Sequence, residues 1–154
     1  MADKIRGALF NILGDIDGLT VLDAFAGSGA LSLEAISRGA KSALAIDRDK
    51  TAYSQILKNL RMLEVEDQVK AIRVNASSWS DHNPDAQFDI VILAPPYDHL
   101  QESLLAKLTR HVTDSGLLVL DWPGHKAAPT FDEFEQIKSK NYGDAQLVFY
   151  RRKE

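Results

Sequence analysis

Apolar residues along the chain recur with two spacings that alternate with one another. Between Asp3 and Gly14 they return every three or four positions, which predicts an amphipathic helix with Asp3 as its cap and Gly14 at its end. Further along, short apolar runs typical of buried strands alternate with helical patterns. The predicted strands are 20–25, 42–47, 69–74, 88–93 and 117–121, and the predicted helices between them are 30–38, 51–63 and 102–111. This alternation favours an α/β fold, with a parallel sheet covered by helices on both faces.

The last part of the chain departs from this alternation. Residues 134–142 and 145–150 are typical of two extended runs, and Gly143-Asp144 between them favours a tight turn. We therefore predict a terminal hairpin that adds one antiparallel strand, with a helix over 131–138 as the alternative. The chain contains no internal repeat, low-complexity tract or linker, so residues 1–154 are predicted to form one domain.

Composition narrows the classes of function. The 154 residues include no cysteine, which excludes disulfides, thiolate zinc sites and cysteine nucleophiles. No apolar run approaches the roughly 20 residues of a membrane helix, and the four histidines lack metal-ligand spacing. We expect a cytoplasmic monomer without a metal or a membrane contact. The net charge of -4 indicates that any RNA binding depends on a local patch and not on the overall field of the protein.

An acidic residue and two glycines lie where the first predicted strand ends. Asp23 closes the apolar run, and Gly27 and Gly29 allow a sharp turn and a close approach of a ligand to the backbone. The next predicted strand ends in Asp47, whose carboxylate can accept hydrogen bonds from both hydroxyls of a ribose. Together these features predict a nucleoside pocket at the ligand-binding edge of the sheet. The alternative is that the glycines only make a turn and that Asp47 caps the next helix.

The nucleoside that fits this pocket carries no phosphate. A dinucleotide site would need a third glycine where Ser32 stands, and the Gly-Lys-Ser/Thr ending of a phosphate-binding loop is absent. S-adenosylmethionine fits best, because it has no phosphate and because Asp23 is available to the amino group of its methionine. Asn75 follows the third predicted strand and is placed to hydrogen-bond the adenine amino group, or else to form an ordinary turn.

Two prolines end the fourth predicted strand. Pro95 and Pro96 donate no hydrogen bonds to a sheet, so the chain must leave the sheet there and form a rigid corner. Tyr97 offers a flat face on which a planar, flipped-out base can stack. The segment from Ala94 to Tyr97 resembles the (Asp/Asn)-Pro-Pro-(Tyr/Phe) loop of amino-methyltransferases, with alanine at the first position.

Several segments together resemble one family, the bacterial guanine-N2 methyltransferases of small-subunit ribosomal RNA. The segments are residues 3–11, 22–31, 34–35, 37–40 and 142–144, and the resemblance spans nearly the whole chain. It implies a Rossmann-like class I methyltransferase sheet of seven strands, the last of them antiparallel. It also implies S-adenosylmethionine as the cofactor, S-adenosylhomocysteine as its product, and ribosomal RNA or the assembling small subunit as the partner.

The resemblance also implies roles for individual residues. Positions 94 to 97 would meet the guanine, and Arg6 and Phe10 would lie over the methionine end of the cofactor, unless the first helix is merely amphipathic. The corner predicted to be catalytic is Ala94, Pro95, Pro96 and Tyr97. The residues predicted to bind the cofactor are Arg6, Phe10, Asp23, Phe25, Ala26, Gly27, Ser28, Gly29, Asp47, Arg48, Asn75 and Ala76.

Two departures from the family pattern bear on activity. Ala94 cannot accept a hydrogen bond from an exocyclic amine, as an Asp or Asn at that position would. Family members also carry an extension before the segment that resembles residues 3–6, so we expect part of the RNA surface to lie outside this chain. The alternatives are therefore a catalytically weak cofactor-binding domain, or a methyltransferase for another nucleic-acid amine or a small molecule.

Overall fold

The computed structural model describes residues 1–154 and places seven strands in one sheet. They are β1 (Thr20–Asp23), β2 (Ser42–Asp47), β3 (Val69–Arg73), β4 (Phe88–Leu93), β5 (Val112–Pro123), β6 (Phe134–Asn141) and β7 (Ala145–Arg152). Their order across the sheet is β3-β2-β1-β4-β5-β7-β6. The first five strands are parallel, and β7 runs antiparallel to both β5 and β6. The predicted Rossmann-like sheet with an antiparallel C-terminal strand is confirmed.

Five α-helices connect or precede these strands. They are α1 (Asp3–Leu13), α2 (Ala30–Ser37), α3 (Lys50–Met62), α4 (Ala76–His82) and α5 (Glu102–Leu108), and a 3₁₀ turn, Thr109–His111, follows α5. None of the helices combines the length and the apolar composition needed to cross a membrane. The opening helix is confirmed, and it ends at Gly14, whose φ of 72° is in the left-handed region. Its predicted cap is wrong: Ala2 occupies the cap position, and Asp3 is helical and accepts a hydrogen bond from Arg6 Nη1 at 2.9 Å.

Two further differences from the predicted elements have local causes. The helix α4 was not predicted because its sequence, ASSWSDH, is short and mostly polar and carries no helical apolar period. The strand β5 begins at Val112 and not at 117, after a register shift in its pairing with β4 between Phe88 and Ile90. The hairpin of β6 and β7 is confirmed, whereas the alternative helix over 131–138 does not form because residues from Phe134 onward pair with β7.

Each face of the sheet buries its own apolar cluster. Along β4, Ile90 and Ile92 belong to the cluster that contains the apolar side of α1, while Val91 and Leu93 belong to the cluster on the opposite face. The same alternation along β5 places Val119 on the α1 face. Because both faces are covered, ligands can reach the sheet only at its ends.

Candidate functional site

Two adjoining cavities lie at the carboxyl ends of the parallel strands. The larger has a volume of about 490 Å³ and the smaller a volume of about 240 Å³. The residues that line both are Phe25, Gly27, Ala94 and Pro96. The glycine turn after β1 and the proline corner after β4 therefore form a common wall, which brings together two segments that the sequence places almost 70 positions apart.

The two glycines of the turn have different requirements. Gly29 has a φ of 84°, and a Cβ there would lie 3.3 Å from Cγ1 of Ile56, so conformation and packing both favour glycine. Gly27 has a φ of 55°, and a Cβ there would meet no atom within 4 Å. Because Gly27 borders both cavities, that open space is space a ligand can occupy.

Asp47 fixes the turn from the neighbouring strand and forms part of the wall of the smaller cavity. Its Oδ2 accepts a hydrogen bond from the backbone N–H of Gly27 at 2.8 Å, and its Oδ1 accepts one from the N–H of Asp49 at 2.9 Å. Asp49 is the residue that caps α3, through the N–H of Ala52, so the alternative role of Asp47 as that cap is wrong. Each oxygen of Asp47 keeps a second lone pair for a ligand hydroxyl.

Asp23 lies behind the turn and not on the wall of either cavity. It is fully buried, and its Oδ2 accepts a hydrogen bond from the hydroxyl of Ser32 at 2.8 Å. Its Oδ1 is buried without a hydrogen-bond partner. Burial raises the pKa of Asp23 to about 6; the Ser32 hydrogen bonds oppose this rise and the charge of Asp47 adds to it. The site therefore contains one buried carboxylate oxygen that lacks a donor.

Asn75 and Ala76, both predicted to bind the cofactor, lie on the wall of the smaller cavity. Oδ1 of Asn75 caps α4, where it accepts from the N–H of Ser77 at 2.8 Å and of Ser78 at 3.4 Å. The amide nitrogen of Asn75 has no partner within the protein and is the group left to face a ligand. Asn75 therefore forms the turn, and its remaining amide nitrogen, a donor, can bind an acceptor on a ligand but not the adenine amino group.

All four residues of the proline corner line the larger cavity. The ring of Tyr97 is 41% exposed, and its hydroxyl donates a hydrogen bond to Oδ1 of Asp121. Burial and the adjacent Asp121 raise the pKa of Tyr97 far above its ordinary value, so this hydroxyl keeps its proton. The corner therefore presents an aromatic face whose outer end is fixed.

Sequence reasoning missed Asp121. This residue lies near the carboxyl end of β5, is 7% exposed, and is the only carboxylate on the wall of the larger cavity. Burial raises its pKa, while the hydrogen bond from Tyr97 opposes that rise. A usable signal was present, because an acid ending an apolar strand is the same pattern that identified Asp23 and Asp47.

The remaining predicted residues divide into those on the cavity walls and those beneath them. Arg6 lines the larger cavity and forms ion pairs with Asp3 and Glu34. Phe10, by contrast, is 1% exposed, packs in the core and lines neither cavity. The walls include Phe25, Ala26, Gly27, Ser28, Asp47, Arg48, Asn75 and Ala76, but not Phe10, Asp23 or Gly29.

The arrangement combines two capabilities. The smaller cavity offers hydrogen-bonding groups suited to a nucleoside, and the larger offers a guanidinium, an aromatic face and a carboxylate. No group of three or more His, Cys, Asp or Glu side chains is arranged to hold a metal ion. The geometry favours a reaction between two organic groups brought together across the shared wall.

Comparison with known proteins agrees with this geometry. The family model described as conserved hypothetical protein 95 matches residues 1–151. Ribosomal RNA small subunit methyltransferase D of Haemophilus influenzae is 32% identical over 156 residues, which cover 97% of this chain and 79% of the relative. A Bacillus subtilis protein, YlbH, described provisionally as an rRNA methyltransferase, is 29% identical over 160 residues, which cover 98% of this chain and 86% of the relative.

The fold is shared with solved structures. The Escherichia coli protein yhhF, described provisionally as a methyltransferase, has a TM-score of 0.90 and 30% sequence identity. The match covers 99% of this chain and 88% of that protein. The likeness therefore includes the strands and loops that build both cavities.

Proposed function

Because this chain belongs to the family of conserved hypothetical protein 95 and ribosomal RNA small subunit methyltransferase D, we propose that it methylates the exocyclic N2 amine of a guanine in small-subunit ribosomal RNA. The methyl donor is S-adenosylmethionine. The observation that carries the proposal is the shared wall of the two cavities, where the glycine turn meets the proline corner. A nucleoside in one cavity and a base in the other would meet there.

The residues of the smaller cavity fit the adenosine part of the donor. Asp47 has lone pairs left for the ribose hydroxyls, and the amide nitrogen of Asn75 can donate to a ring nitrogen of adenine. Gly27 leaves the open space that the chain between ribose and sulfur requires.

The residues around the turn fit the methionine part. Arg6 on the wall of the larger cavity matches the carboxylate of the methionine part. When bound, S-adenosylmethionine supplies a sulfonium methyl group that the lone pair of an amine attacks in line.

The proline corner holds the acceptor base. Tyr97 offers its exposed ring for stacking, and Pro95 has a backbone carbonyl, placed by two rigid φ angles, that can accept a hydrogen bond from an exocyclic amine. These groups orient the amine and exclude water, and such positioning supplies most of the rate enhancement.

The choice of acceptor rests on the relatives. The Haemophilus influenzae relative is named for the small-subunit ribosomal RNA, and residues 3–11 and 22–31 resemble segments of guanine-N2 methyltransferases, while residues 94–97 resemble the loop of amino-methyltransferases. A guanine N2 amine is planar and lies at the edge of its base, which suits a stacking face with an acceptor beside it.

A transfer assay with a tritiated methyl donor tests the proposal. The chain is incubated with unmodified small-subunit ribosomal RNA, with assembled small subunits, and with transfer RNA and DNA of matched length as controls. We expect label in ribosomal RNA, free or assembled, and at least tenfold less in the controls. Label confined to the controls would overturn the RNA assignment. Cofactor binding with no transfer to any acceptor would favour a catalytically weak binding domain.

A further inference from the structure

We propose that Asp121 is a catalytic residue of this chain, whose free carboxylate oxygen accepts a hydrogen bond from the amine that is methylated. The inference rests on the proposed function and adds a residue that neither the sequence motifs nor the comparisons assign. It concerns the side of the larger cavity formed by β5, opposite the glycine turn.

The register of the sheet places Asp121 beside Ala94. Leu93 of β4 pairs with Leu120 of β5, so Ala94 and Asp121 occupy the next position along two neighbouring parallel strands. Side chains at matching positions of parallel strands point to the same face. That face is the α1 side, because Ala94 packs against the cluster that contains Val119. A carboxylate therefore stands next to the methyl side chain of Ala94.

The hydrogen bonds of Asp121 leave one oxygen free. Its Oδ1 accepts from the hydroxyl of Tyr97, while Oδ2 has no hydrogen-bond partner in the protein. The residue is 7% exposed and lines the larger cavity, so Oδ2 is withdrawn from bulk water but reachable by a ligand. A carboxylate oxygen in such a place is stabilised when a donor enters. An exocyclic amine brings two N–H donors.

The other groups of the cavity do not offer this function. Arg6 is a cation, and the Tyr97 hydroxyl gives its proton to Asp121. The Pro95 carbonyl can accept one N–H of the amine, which leaves the second N–H without a charged acceptor. Asp121 supplies that acceptor from the strand next to the corner.

The carboxylate also accounts for the proton released in the reaction. As the new N–C bond forms, the C–S bond breaks and its electron pair remains on sulfur as a neutral thioether. The nitrogen then carries one surplus proton, which Oδ2 of Asp121 accepts and later passes to water. Burial raises the pKa of Asp121, which is consistent with a base that is more ready than a solvated carboxylate to hold a proton.

Three substitutions separate this role from a structural one. Asp121→Ala removes the carboxylate. Asp121→Asn keeps the shape and the acceptor for the Tyr97 hydroxyl, but it turns an NH₂ group toward the cavity where Oδ2 stood. Asp114→Asn is the matched control, because Asp114 is an exposed aspartate at the opposite end of the same strand.

The measurements are single-turnover methyl transfer to the ribosomal RNA substrate, calorimetric affinity for S-adenosylhomocysteine, and RNA affinity with S-adenosylhomocysteine bound. We expect both Asp121 variants to lose about 100-fold or more in transfer rate. Their RNA affinity should fall about tenfold, the scale of a hydrogen bond to a charged group. Affinity for S-adenosylhomocysteine should stay within about threefold, which also shows that the variants are folded. Asp114→Asn should match the wild type throughout.

Three outcomes of the transfer assay would overturn the inference. If the wild type transfers methyl groups and both Asp121 variants keep its rate, Asp121 does not contact the amine. If Tyr97→Phe, which removes only the hydroxyl, loses as much rate as Asp121→Asn, then Asp121 acts by holding Tyr97 and direct contact is wrong. If the wild type itself transfers no methyl group, the proposed function fails and the inference fails with it.

Discussion

At the scale of single residues, the buried carboxylate of Asp23 is the most unusual group in the site. Its pKa is raised from the ordinary 3.8 to about 6 by burial. A group with a raised pKa in the folded state stabilises the fold below its unfolded pKa, and this contribution is lost as the pH rises through the folded pKa. The difference corresponds to about 3 kcal/mol. At neutral pH the free chain therefore carries a destabilising charge next to its ligand site.

We predict that Asp23→Asn stabilises the free chain at pH 7.5, because it removes that charge and keeps an acceptor for the Ser32 hydroxyl. The gain in free energy of unfolding should be about 1–3 kcal/mol at pH 7.5 and near zero at pH 4, as measured by urea denaturation. An equal change in stability at both pH values would contradict the raised pKa.

Asp47 gives a second prediction at this scale. Asp47→Ala should weaken S-adenosylhomocysteine binding by about 1.5–3 kcal/mol in calorimetry, because hydrogen bonds to a charged acceptor are lost. The matched control is Asp49→Ala, which removes a nearby carboxylate that caps α3 and does not line either cavity. The control should lose about 1 kcal/mol of stability with little change in affinity. Equal losses of affinity in the two variants would show that the ribose lies elsewhere.

At the scale of elements, the turn between β1 and α2 contains two glycines, and we expect alanine to have different effects at the two positions. Both have positive φ, so alanine at either position strains the backbone by about 1–2 kcal/mol. At Gly29 the new Cβ also lies 3.3 Å from Ile56, whereas at Gly27 it enters the space open to both cavities.

We therefore predict that one alanine variant loses mainly stability and the other mainly cofactor affinity. Gly29→Ala should cost more stability, about 2 kcal/mol or more, and should change cofactor affinity by less than about threefold once folded. Gly27→Ala should cost about 1 kcal/mol of stability and lower affinity at least about tenfold. Thermal unfolding and calorimetry on the same samples test this. The opposite ranking of affinities would mean that the cofactor does not approach Gly27.

The elements also show why some features could be predicted from the sequence and others could not. Buried strands such as β4 leave a continuous apolar run, and their acidic or glycine-rich ends mark the ligand edge without any knowledge of tertiary contacts. The helix α4 leaves no such pattern, because only Asn75 at its cap signals it. Its existence depends on packing of Trp79 against His111, which the sequence places 32 positions apart.

The same distinction between local patterns and tertiary contacts applies to the residues of the site. The place of Asp47 on the cavity wall was predictable because it follows from its position at a strand end. The resemblance placed Arg6 and Phe10 together over the methionine end, but it could not tell that Phe10 packs in the core while Arg6 lies beside the cavity. That Ala94 and Asp121 are neighbours follows from the order of the strands in the sheet, which no local sequence pattern specifies.

At the scale of the whole molecule, the parallel sheet brings every site residue to one edge. The chain has 18 basic and 22 acidic side chains, so its net charge opposes approach to RNA. On the proposed function, we expect recognition to depend on local contacts and on the shape of the acceptor more than on the overall charge. This agrees with an enzyme that acts on a structured RNA surface, where the position of one base is already fixed.

The measurement that tests the central claim most directly is the identity of the methylated nucleoside. Small-subunit ribosomal RNA lacking the modification is treated with the chain and S-adenosylmethionine, digested to nucleosides and analysed by mass spectrometry against standards. The account predicts N2-methylguanosine, close to one per RNA molecule at completion, and formation of the same product at a rate at least about 100-fold lower with Asp121→Asn under the same single-turnover conditions. Methyl groups on another base, or on a ring nitrogen of guanine, would contradict it.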